Sequence, residues 1–182
     1  DYFYKFYEGI FFPYIQQNNI KTCIHLGDLM DRRKFVSYKT AKDFRERFIL
    51  PFNTLKVDLH IMIGNHDTFY KNTNDVNSVE ELLGNRHRNI KIYPEAEEVE
   101  FDGTKILFLP WINSQNSIYS EGMIHESTAD VCMGHLEVAG FEMMRGIVNE
   151  NGINKSMFRK FDTVFSGHFH VKSDDGHIYY LG

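Results

Sequence analysis

The sequence predicts an α/β protein in which mixed β-sheets are flanked by layers of helices. In the first half, apolar residues recur at helical spacing in segments that alternate with short apolar runs. In the second half, apolar runs follow one another closely, and Asp102-Gly103 is a strong hairpin turn signal. Helix and strand alternation followed by hairpins is typical of a layered fold with one mixed sheet or a pair of sheets.

Two amphipathic helices are predicted in the first third of the chain. The first runs from residue 3 to residue 15, and Pro13 is expected to kink its last turn. Its apolar positions are Phe3, Phe6, Tyr7, Ile10, Phe11 and Tyr14. The second runs from about residue 38 to residue 52. Its apolar positions are Ala41, Phe44, Phe48, Ile49 and Phe52.

Short apolar or alternating runs bounded by turn residues predict the strands. They cover residues 22–26, 57–63, 90–93, 98–101, 105–109, 129–133, 163–166 and 178–181. With 42% hydrophobic residues and no linker or low-complexity segment, residues 1–182 are expected to form one domain with one sizeable core.

The net charge of −5 argues against a nucleic-acid-binding protein that uses a broadly basic surface. Any contact with nucleic acid must then be local. Arg32-Arg33-Lys34 and Arg86-His87-Arg88 could supply positive charge at the rim of a site. Both clusters are also consistent with a solvated surface, and for the second cluster that interpretation is preferred.

Membrane and redox signals are weak in this sequence. No apolar run approaches the roughly 18 residues that a membrane-spanning helix needs, and the start has no basic region before a hydrophobic run. The expectation is a soluble protein that is not secreted. Cys23 and Cys132 lie in apolar runs without metal or disulfide spacing, which predicts buried thiols.

A pattern that is repeated four times carries the functional signal. Each time, an apolar strand is followed by glycine and then by a residue able to bind metal. The four segments are Gly27-Asp28, Gly64-Asn65-His66-Asp67, Gly134-His135 and Gly167-His168-Phe169-His170. Because ligands gather at the carboxyl ends of strands in α/β sheets, we expect these segments to converge. Glycine permits close approach of the backbone there.

Each segment alone has an ordinary explanation. Gly-Asp is most often a turn, Gly-Asn-His-Asp fits an Asx-type loop, and Gly-His-x-His fits two surface histidines. All four in this order, each behind an apolar run, indicate a metal site instead. Oxygen and imidazole ligands without cysteine favour manganese, iron or zinc. Two such ions about 3.5–4 Å apart are a standard arrangement for phosphoester hydrolysis.

Together with Asp31, these four segments resemble the signature of the calcineurin-like metallophosphoesterase superfamily. The protein phosphatases of that superfamily have Arg before Gly-Asn-His and Glu after it. Here Ile63 and Asp67 occupy those positions, which disfavours the phosphatase branch.

Further stretches resemble the SbcD-type nuclease subunit, especially the form encoded by T-even-like phages. They are Tyr70-Lys71-Asn72, Leu109-Pro110-Trp111, Gly134-His135-x-Glu137-x-x-Gly140-Phe141, Arg145-Gly146 and Ser166-Gly167-His168-Phe169-His170. This resemblance implies a metal-dependent exo- or endonuclease in DNA recombination and repair. It also implies an SMC-like ATPase partner, and a place in the bacterial or phage-infected cytoplasm.

The resemblance also implies two divalent metal ions, expected to be Mn²⁺. The implied ligands are Asp28, Asn65, His135, His168 and His170. Asp28 would bridge the two ions, and His170 would bind the second. The implied catalytic residue His66 would stabilise or protonate the leaving oxygen, and Asp31 would orient a ligand or His66.

The first motif of the family, Asp-x-His on an opening strand, has no counterpart here. We therefore expect the chain to lack that strand, the carboxy-terminal regions and part of the second metal site. Two alternatives stay open, namely a small-molecule phosphodiesterase or nucleotidase and a degenerate binding domain. A homodimer is also implied, with the helix at residues 38–52 as the candidate contact. Packing of that helix on its own sheet is equally consistent with the pattern.

Overall fold

A computed structural model describes residues 2–84 and 86–182, and two β-sheets form its centre. The first sheet is parallel, in the order β1 (Thr22–His25), β2 (Asp58–Met62), β3 (Ile90–Tyr93). The second sheet is mixed. Its order is β10 (Ser173–Asp174), β11 (Ile178–Tyr180), β9 (Thr163–Ser166), β6 (Val131–Gly134), β5 (Thr104–Leu109), β4 (Glu97–Phe101). A separate hairpin joins β7 (Glu142–Met144) to β8 (Ile147–Val148).

Within these described ranges, four helices accompany the sheets. Helix α1 covers residues 2–17 and consists of Tyr2–Phe6, a wide π-helical turn at Tyr7–Phe11, and Phe12–Gln17. Helix α2 covers residues 38–55 and consists of Tyr38–Phe44, a π-helical turn at Arg45–Ile49, and Leu50–Leu55. Helix α3 is Ser78–Leu83, and α4 is Ser117–Glu126. Lys155–Phe158 forms a single 3₁₀ turn.

Each π-helical turn lies directly before a proline. The amide of Phe12 donates to the carbonyl of Tyr7, one residue before Pro13, and the amide of Leu50 donates to Arg45, one residue before Pro51. Proline has no N–H and its ring collides with the carbonyl four residues earlier, so a wider turn lets the helix continue. The kink expected at Pro13 is therefore taken up as a π-helical turn within a continuous helix.

Side-chain alternation along the strands creates three apolar layers. Leu59, Ile61 and Ile63 lie in one layer with the aromatic residues of α1 and α2. Met62 lies in a second layer between the sheets, with Tyr93, Ile106 and Phe108. A third layer, between the second sheet and α4, includes Leu107, Leu109, Cys132 and Ile124. The layers follow one another as helices, first sheet, second sheet and helix. This order confirms the predicted α/β class and shows that the fold has a pair of sheets rather than one mixed sheet.

The predicted helix at residues 38–52 packs its apolar face against its own chain. Phe44, Phe48, Ile49 and Phe52 are buried in the layer beneath α2, which is the alternative to a dimer contact there. Exposed apolar residues lie on both helices, at Tyr2, Phe3, Phe6, Ile10 and Tyr14 of α1 and at Tyr38 and Leu50 of α2.

Two smaller differences from the sequence expectations concern the burial of Cys23 and several helices and strands that were not predicted. Cys132 is buried as predicted, whereas Cys23 is only half-buried. Helices α3 and α4, the β7–β8 hairpin and β10 were not predicted. No helix in residues 2–84 or 86–182 combines the length and apolar character needed to cross a bilayer.

Candidate metal centre

The four glycine-led segments follow strands β1, β2, β6 and β9 and meet where the two sheets face each other. The sheets come so close there that a Cβ on Gly27 would lie 2.5 Å from Nδ1 of His135 and 2.8 Å from the Cα of Gly64. A Cβ on Gly167 would lie 2.9 Å from the carbonyl oxygen of Leu26. These glycines are therefore required by close backbone approach, as the sequence pattern predicts.

Four side chains converge at this point: Asp28, Asn65, His135 and His168. Oδ1 of Asn65 lies 2.9 Å from Nε2 of His135 and 3.0 Å from Nδ1 of His168. The two imidazole nitrogens are 3.3 Å apart. Oδ2 of Asp28 is 3.3 Å from Nε2 of His135. The ligand atoms of Asp28, His135 and His168 all lie within 4.8 Å of one another.

The orientation of His135 follows from its second nitrogen. Its Nδ1–H donates to the carbonyl oxygen of Leu26 at 2.8 Å, and a carbonyl can only accept. In the neutral imidazole, Nε2 then carries a lone pair, and this lone pair faces Asp28 and Asn65. Electron-rich atoms packed in this way repel one another, and a cation placed among them removes the repulsion.

The protonation states of two of these groups suit a cation. Burial, and then the charge that His135 carries when it is protonated, lower the pKa of His168 to about 4, so its imidazole is neutral at physiological pH. Burial alone would raise the pKa of Asp28, but a protonated His135, which would donate from Nε2 and carry charge, and the amide of His66 outweigh burial and lower it. Asp28 is therefore ionised, and the donor set of carboxylate, amide oxygen and imidazole fits manganese, iron or zinc.

Two of the four residues have unusual backbone angles. Asp28 has φ of 55° and His168 has φ of 79°, the left-handed region that side chains rarely adopt. A Cβ on Gly64 would overlap the backbone nitrogen and Oδ1 of Asp28. Strained residues of this kind cluster at functional sites because the surrounding structure fixes them.

His66 and Asp31 contact each other, but through the backbone of Asp31. Nδ1 of His66 lies 2.8 Å from the carbonyl oxygen of Asp31, and the amide of His66 donates to Oδ1 of Asp28 at 2.7 Å. The carboxylate of Asp31, with its side chain 93% exposed, lies 3.8 Å from Nε of Arg32. The expected orienting contact to His66 is therefore made by the carbonyl of Asp31 rather than by its carboxylate.

His170 lies apart from the four converging side chains. It lines a cavity of about 650 Å³ that Asp28 and His66 also line, together with aromatic residues of α1 and α2. His25 lines the same cavity, and burial, followed by the charge of His135, lowers its pKa to about 4. The structure therefore brings Asp28, Asn65, His135 and His168 together, whereas His170 lies outside that group and lines a cavity with Asp28 and His66.

Asp67 ties the two loops of the first sheet together. Its buried carboxylate accepts hydrogen bonds from the amides of Met30 and Gly64, both at 2.9 Å. Burial raises the pKa of Asp67 to about 6 against the lowering effect of these amides. The sequence argument used Asp67 only to separate protein phosphatases from nucleases. Its position in the Gly-Asn-His-Asp segment was the available signal for this structural role.

Trp111 packs against two of the four converging side chains. Its ring centroid is 5.2 Å from that of His168 and 6.2 Å from that of His135. The sequence argument used Trp111 only for the family resemblance. A lone tryptophan after Pro110 does not indicate which residues its ring will contact.

Comparison with known proteins agrees with this geometry. A family model for calcineurin-like phosphoesterases matches residues 1–172. The chain is similar to exonuclease subunit 1 of Enterobacteria phage T4, with 34% identity over 169 residues that cover 93% of this chain and 49% of that protein. The chain therefore spans about half the length of the curated relative it matches.

Two solved structures are also similar to the chain. One is GAP50, the anchor in the inner membrane complex of Plasmodium, with a TM-score of 0.53, 11% identity, and coverage of 98% of this chain and 66% of that one. The other is a hypothetical protein from Thermus thermophilus, with a TM-score of 0.47, 18% identity, and coverage of 94% and 67%. The likeness to GAP50 supports the fold alone.

Proposed function

Because this chain belongs to the calcineurin-like phosphoesterase family, we propose that it hydrolyses phosphodiester bonds of DNA as the nuclease subunit of a recombination and repair complex. The convergence of Asp28, Asn65, His135 and His168 carries this proposal. The similarity to a phage exonuclease subunit supports the choice of DNA as substrate.

The proposed cofactors are two divalent ions, with Mn²⁺ as the preferred metal. Asp28, Asn65, His135 and His168 would hold one ion, and Asp28 and His170 would contribute to the other. Bound ions supply Lewis acidity and a nucleophile at neutral pH. His168 suits this role because its lowered pKa leaves a neutral imidazole that can present a lone pair. The carbonyl of Leu26 turns Nε2 of the buried His135 toward the same point.

In this proposal His66 donates a proton to the leaving oxygen. Its Nδ1–H donates to the carbonyl of Asp31, so its Nε2 is the atom left to face a substrate, and the ring must be an imidazolium for Nε2 to supply that proton. The amide of His66 is fixed by Asp28, which sets the distance between the imidazole and the metal ligands. A group held in this way contributes general acid catalysis of about 10²–10⁴-fold. Asp31 then acts as a positioning residue through its backbone.

The proposed partners are DNA and an SMC-like ATPase, in the cytoplasm of a bacterial or phage-infected cell. A phage relative named as a subunit supports a partner of some kind. A homodimer is a further part of this proposal. The exposed apolar residues Ile10 and Tyr14 of α1, together with Tyr38 and Leu50 of α2, support a contact through these two helices.

The test uses the complete gene product that carries this chain. Incubation with Mn²⁺ and end-labelled linear duplex DNA is expected to shorten the DNA, and both EDTA and the substitution Asp28→Ala are expected to prevent this. Bis(p-nitrophenyl) phosphate and cyclic nucleotides are offered in parallel. Hydrolysis of these small esters with the DNA left intact would reject the nuclease and favour a small-molecule phosphodiesterase or nucleotidase.

A further inference from the structure

A surface of basic and aromatic residues borders the candidate metal centre. It is formed by the two segments that follow Asp28 and His66 in the chain. We call it the basic–aromatic rim, and its members are Arg32, Arg33, Lys34, Phe35, Phe69, Tyr70 and Lys71.

Direct contacts join the two segments of the rim. Nη1 of Arg33 donates to Oγ1 of Thr68 at 3.3 Å, and Nζ of Lys34 lies 5.9 Å from the centroid of the Phe69 ring. Within each segment, the guanidinium of Arg32 lies 5.4 Å from the Phe35 centroid, and the Phe69 and Tyr70 rings lie 4.8 Å apart. Cationic groups and aromatic rings therefore alternate on one continuous surface.

The rim is close in the chain to residues of the site. Nδ1 of His66 bonds the carbonyl of Asp31, which directly precedes Arg32, and Thr68 is two residues beyond His66. A strand that crosses the metal centre beside His66 would reach the rim with its next nucleotides. The rim is thus placed to hold a substrate on one side of the scissile bond.

The rings and charges of the rim are accessible to solvent. Phe35 is 63% exposed, Tyr70 52% and Phe69 38%. The rim carries four basic residues, and Asp31 is the one exposed carboxylate of its described neighbours at residues 31–37 and 66–72, although the whole chain has a net charge of −5. Local positive charge in an acidic protein points to a local anionic ligand.

We propose that the basic–aromatic rim binds unpaired DNA. Bases stack on Phe35, Phe69 and Tyr70, while Arg32, Lys34 and Lys71 meet the phosphates. Every base has a π face, so stacking of this kind accepts any sequence and requires that the bases are not paired. This inference rests on the proposed function, and it adds that the substrate strand is single-stranded or frayed beside the scissile bond.

The exposed rings separate this ligand from a duplex. A protein that holds duplex DNA mainly by its backbone neutralises many phosphates, whereas here few cations are present and solvent-accessible rings lie between them. Paired bases would leave those rings without partners. The chemistry of the rim therefore fits single-stranded DNA better than a rigid duplex.

The test is a binding measurement in EDTA, so that no cleavage occurs. The probes are a fluorescein-labelled 15-nucleotide oligo(dT) and a fully paired hairpin with the same label, and the protein is the complete gene product. We expect the oligo(dT) to bind at least about tenfold more tightly than the hairpin. Tyr70→Leu keeps an apolar side chain but removes the π face, and it should weaken oligo(dT) binding by about tenfold or more, since a stacked base is worth about 1–3 kcal/mol.

Three variants make this result specific. Tyr70→Phe keeps the ring and should restore oligo(dT) affinity to within about twofold. Tyr119→Leu changes a tyrosine of similar exposure, 53%, on α4, and it should leave the affinity unchanged. Lys71→Ala should reduce the slope of log affinity against log salt by about 0.7, the value for one phosphate of a single strand.

The failure of this inference is distinguishable from that of the proposed function. If Tyr70→Leu binds oligo(dT) as the unsubstituted protein does while Mn²⁺-dependent cleavage of DNA persists, the rim is not the strand-binding surface but the nuclease stands. Equal affinity for hairpin and oligo(dT) would reject the preference for unpaired DNA. If neither DNA binds and the rim variants instead lose a protein partner, the rim is a protein contact.

Discussion

The indole of Trp111 lies against the imidazole of His168, with 5.2 Å between ring centroids and 36° between planes. Buried asparagines hold the backbone of Trp111 in place. Its carbonyl accepts hydrogen bonds from Nδ2 of Asn74 at 2.9 Å and of Asn116 at 3.1 Å, and its amide donates to the carbonyl of Ile63 at 2.7 Å. Because Ile63 directly precedes the Gly64-Asn65 segment, the indole and the candidate ligands are held in one frame.

Trp111 is the one tryptophan of the chain, so its fluorescence reports the metal centre. Titration with Mn²⁺ is expected to quench the emission, because a paramagnetic ion held by His168 would lie next to the indole. EDTA should reverse the quenching. His168→Ala should abolish the saturable quenching, whereas His125→Ala, which removes an exposed imidazole on α4, should not. Quenching that persists in His168→Ala would place the ion elsewhere.

Asp28→Ala is expected to remove bound metal. Asp28 provides the carboxylate among the four converging groups, and the loss of a direct ligand should lower Mn²⁺ affinity by at least about 100-fold, more than the loss of a supporting contact costs. Metal content after dialysis, measured by atomic emission, checks this. Asp31→Ala is the control, because its carboxylate is exposed and should not be needed to hold metal. Unchanged manganese content in Asp28→Ala would remove Asp28 from the ligand set.

His66→Ala is expected to separate metal binding from catalysis. The imidazole bonds the Asp31 carbonyl rather than the cluster, so metal content should stay near normal. Cleavage of DNA by the complete gene product should fall by about 10²–10⁴-fold, as for loss of a general acid. The two quantities are measured on the same preparation. Loss of metal together with activity would assign His66 to the ligands instead.

Gly64→Ala is expected to disrupt the site through backbone overlap. The added methyl group would collide with the backbone and carboxylate of Asp28, so Mn²⁺ binding and thermal stability should both fall. Gly122→Ala is a matched control within α4, where an added Cβ would meet no atom within 4 Å. That change should stabilise the protein by about 0.5–1 kcal/mol, since glycine is unfavourable inside a helix. A Gly64→Ala protein that melts and binds metal normally would contradict the close packing.

The sequence predicted the site through its strand ends. An apolar run followed by glycine and a polar residue is a local pattern, and parallel strands carry such patterns to one edge of a sheet. Asp28, Asn65, His135 and His168 therefore could be grouped from the sequence alone. The separation of His170 from this group could not be predicted, because the left-handed backbone of His168 breaks the period of an extended strand.

The missed elements had weak local signals. Helix α3 has six residues and is recognisable mainly by Asn77, whose Oδ1 accepts from the amide of Glu80 at 2.9 Å. Helix α4 buries only Ser120 and Ile124, so it has no apolar stripe to detect. The contact between the Asp31 carbonyl and His66 could not be predicted either. Every residue has a carbonyl, and only tertiary packing determines which one lies beside the imidazole.

The most direct test of the central claim is a diffraction measurement on crystals of this chain soaked in Mn²⁺, with data collected at the manganese absorption edge. The account predicts an anomalous peak bounded by Oδ2 of Asp28, Oδ1 of Asn65, Nε2 of His135 and an imidazole nitrogen of His168. A peak bound by other residues, or the absence of a peak while these four side chains keep the arrangement described, would contradict it.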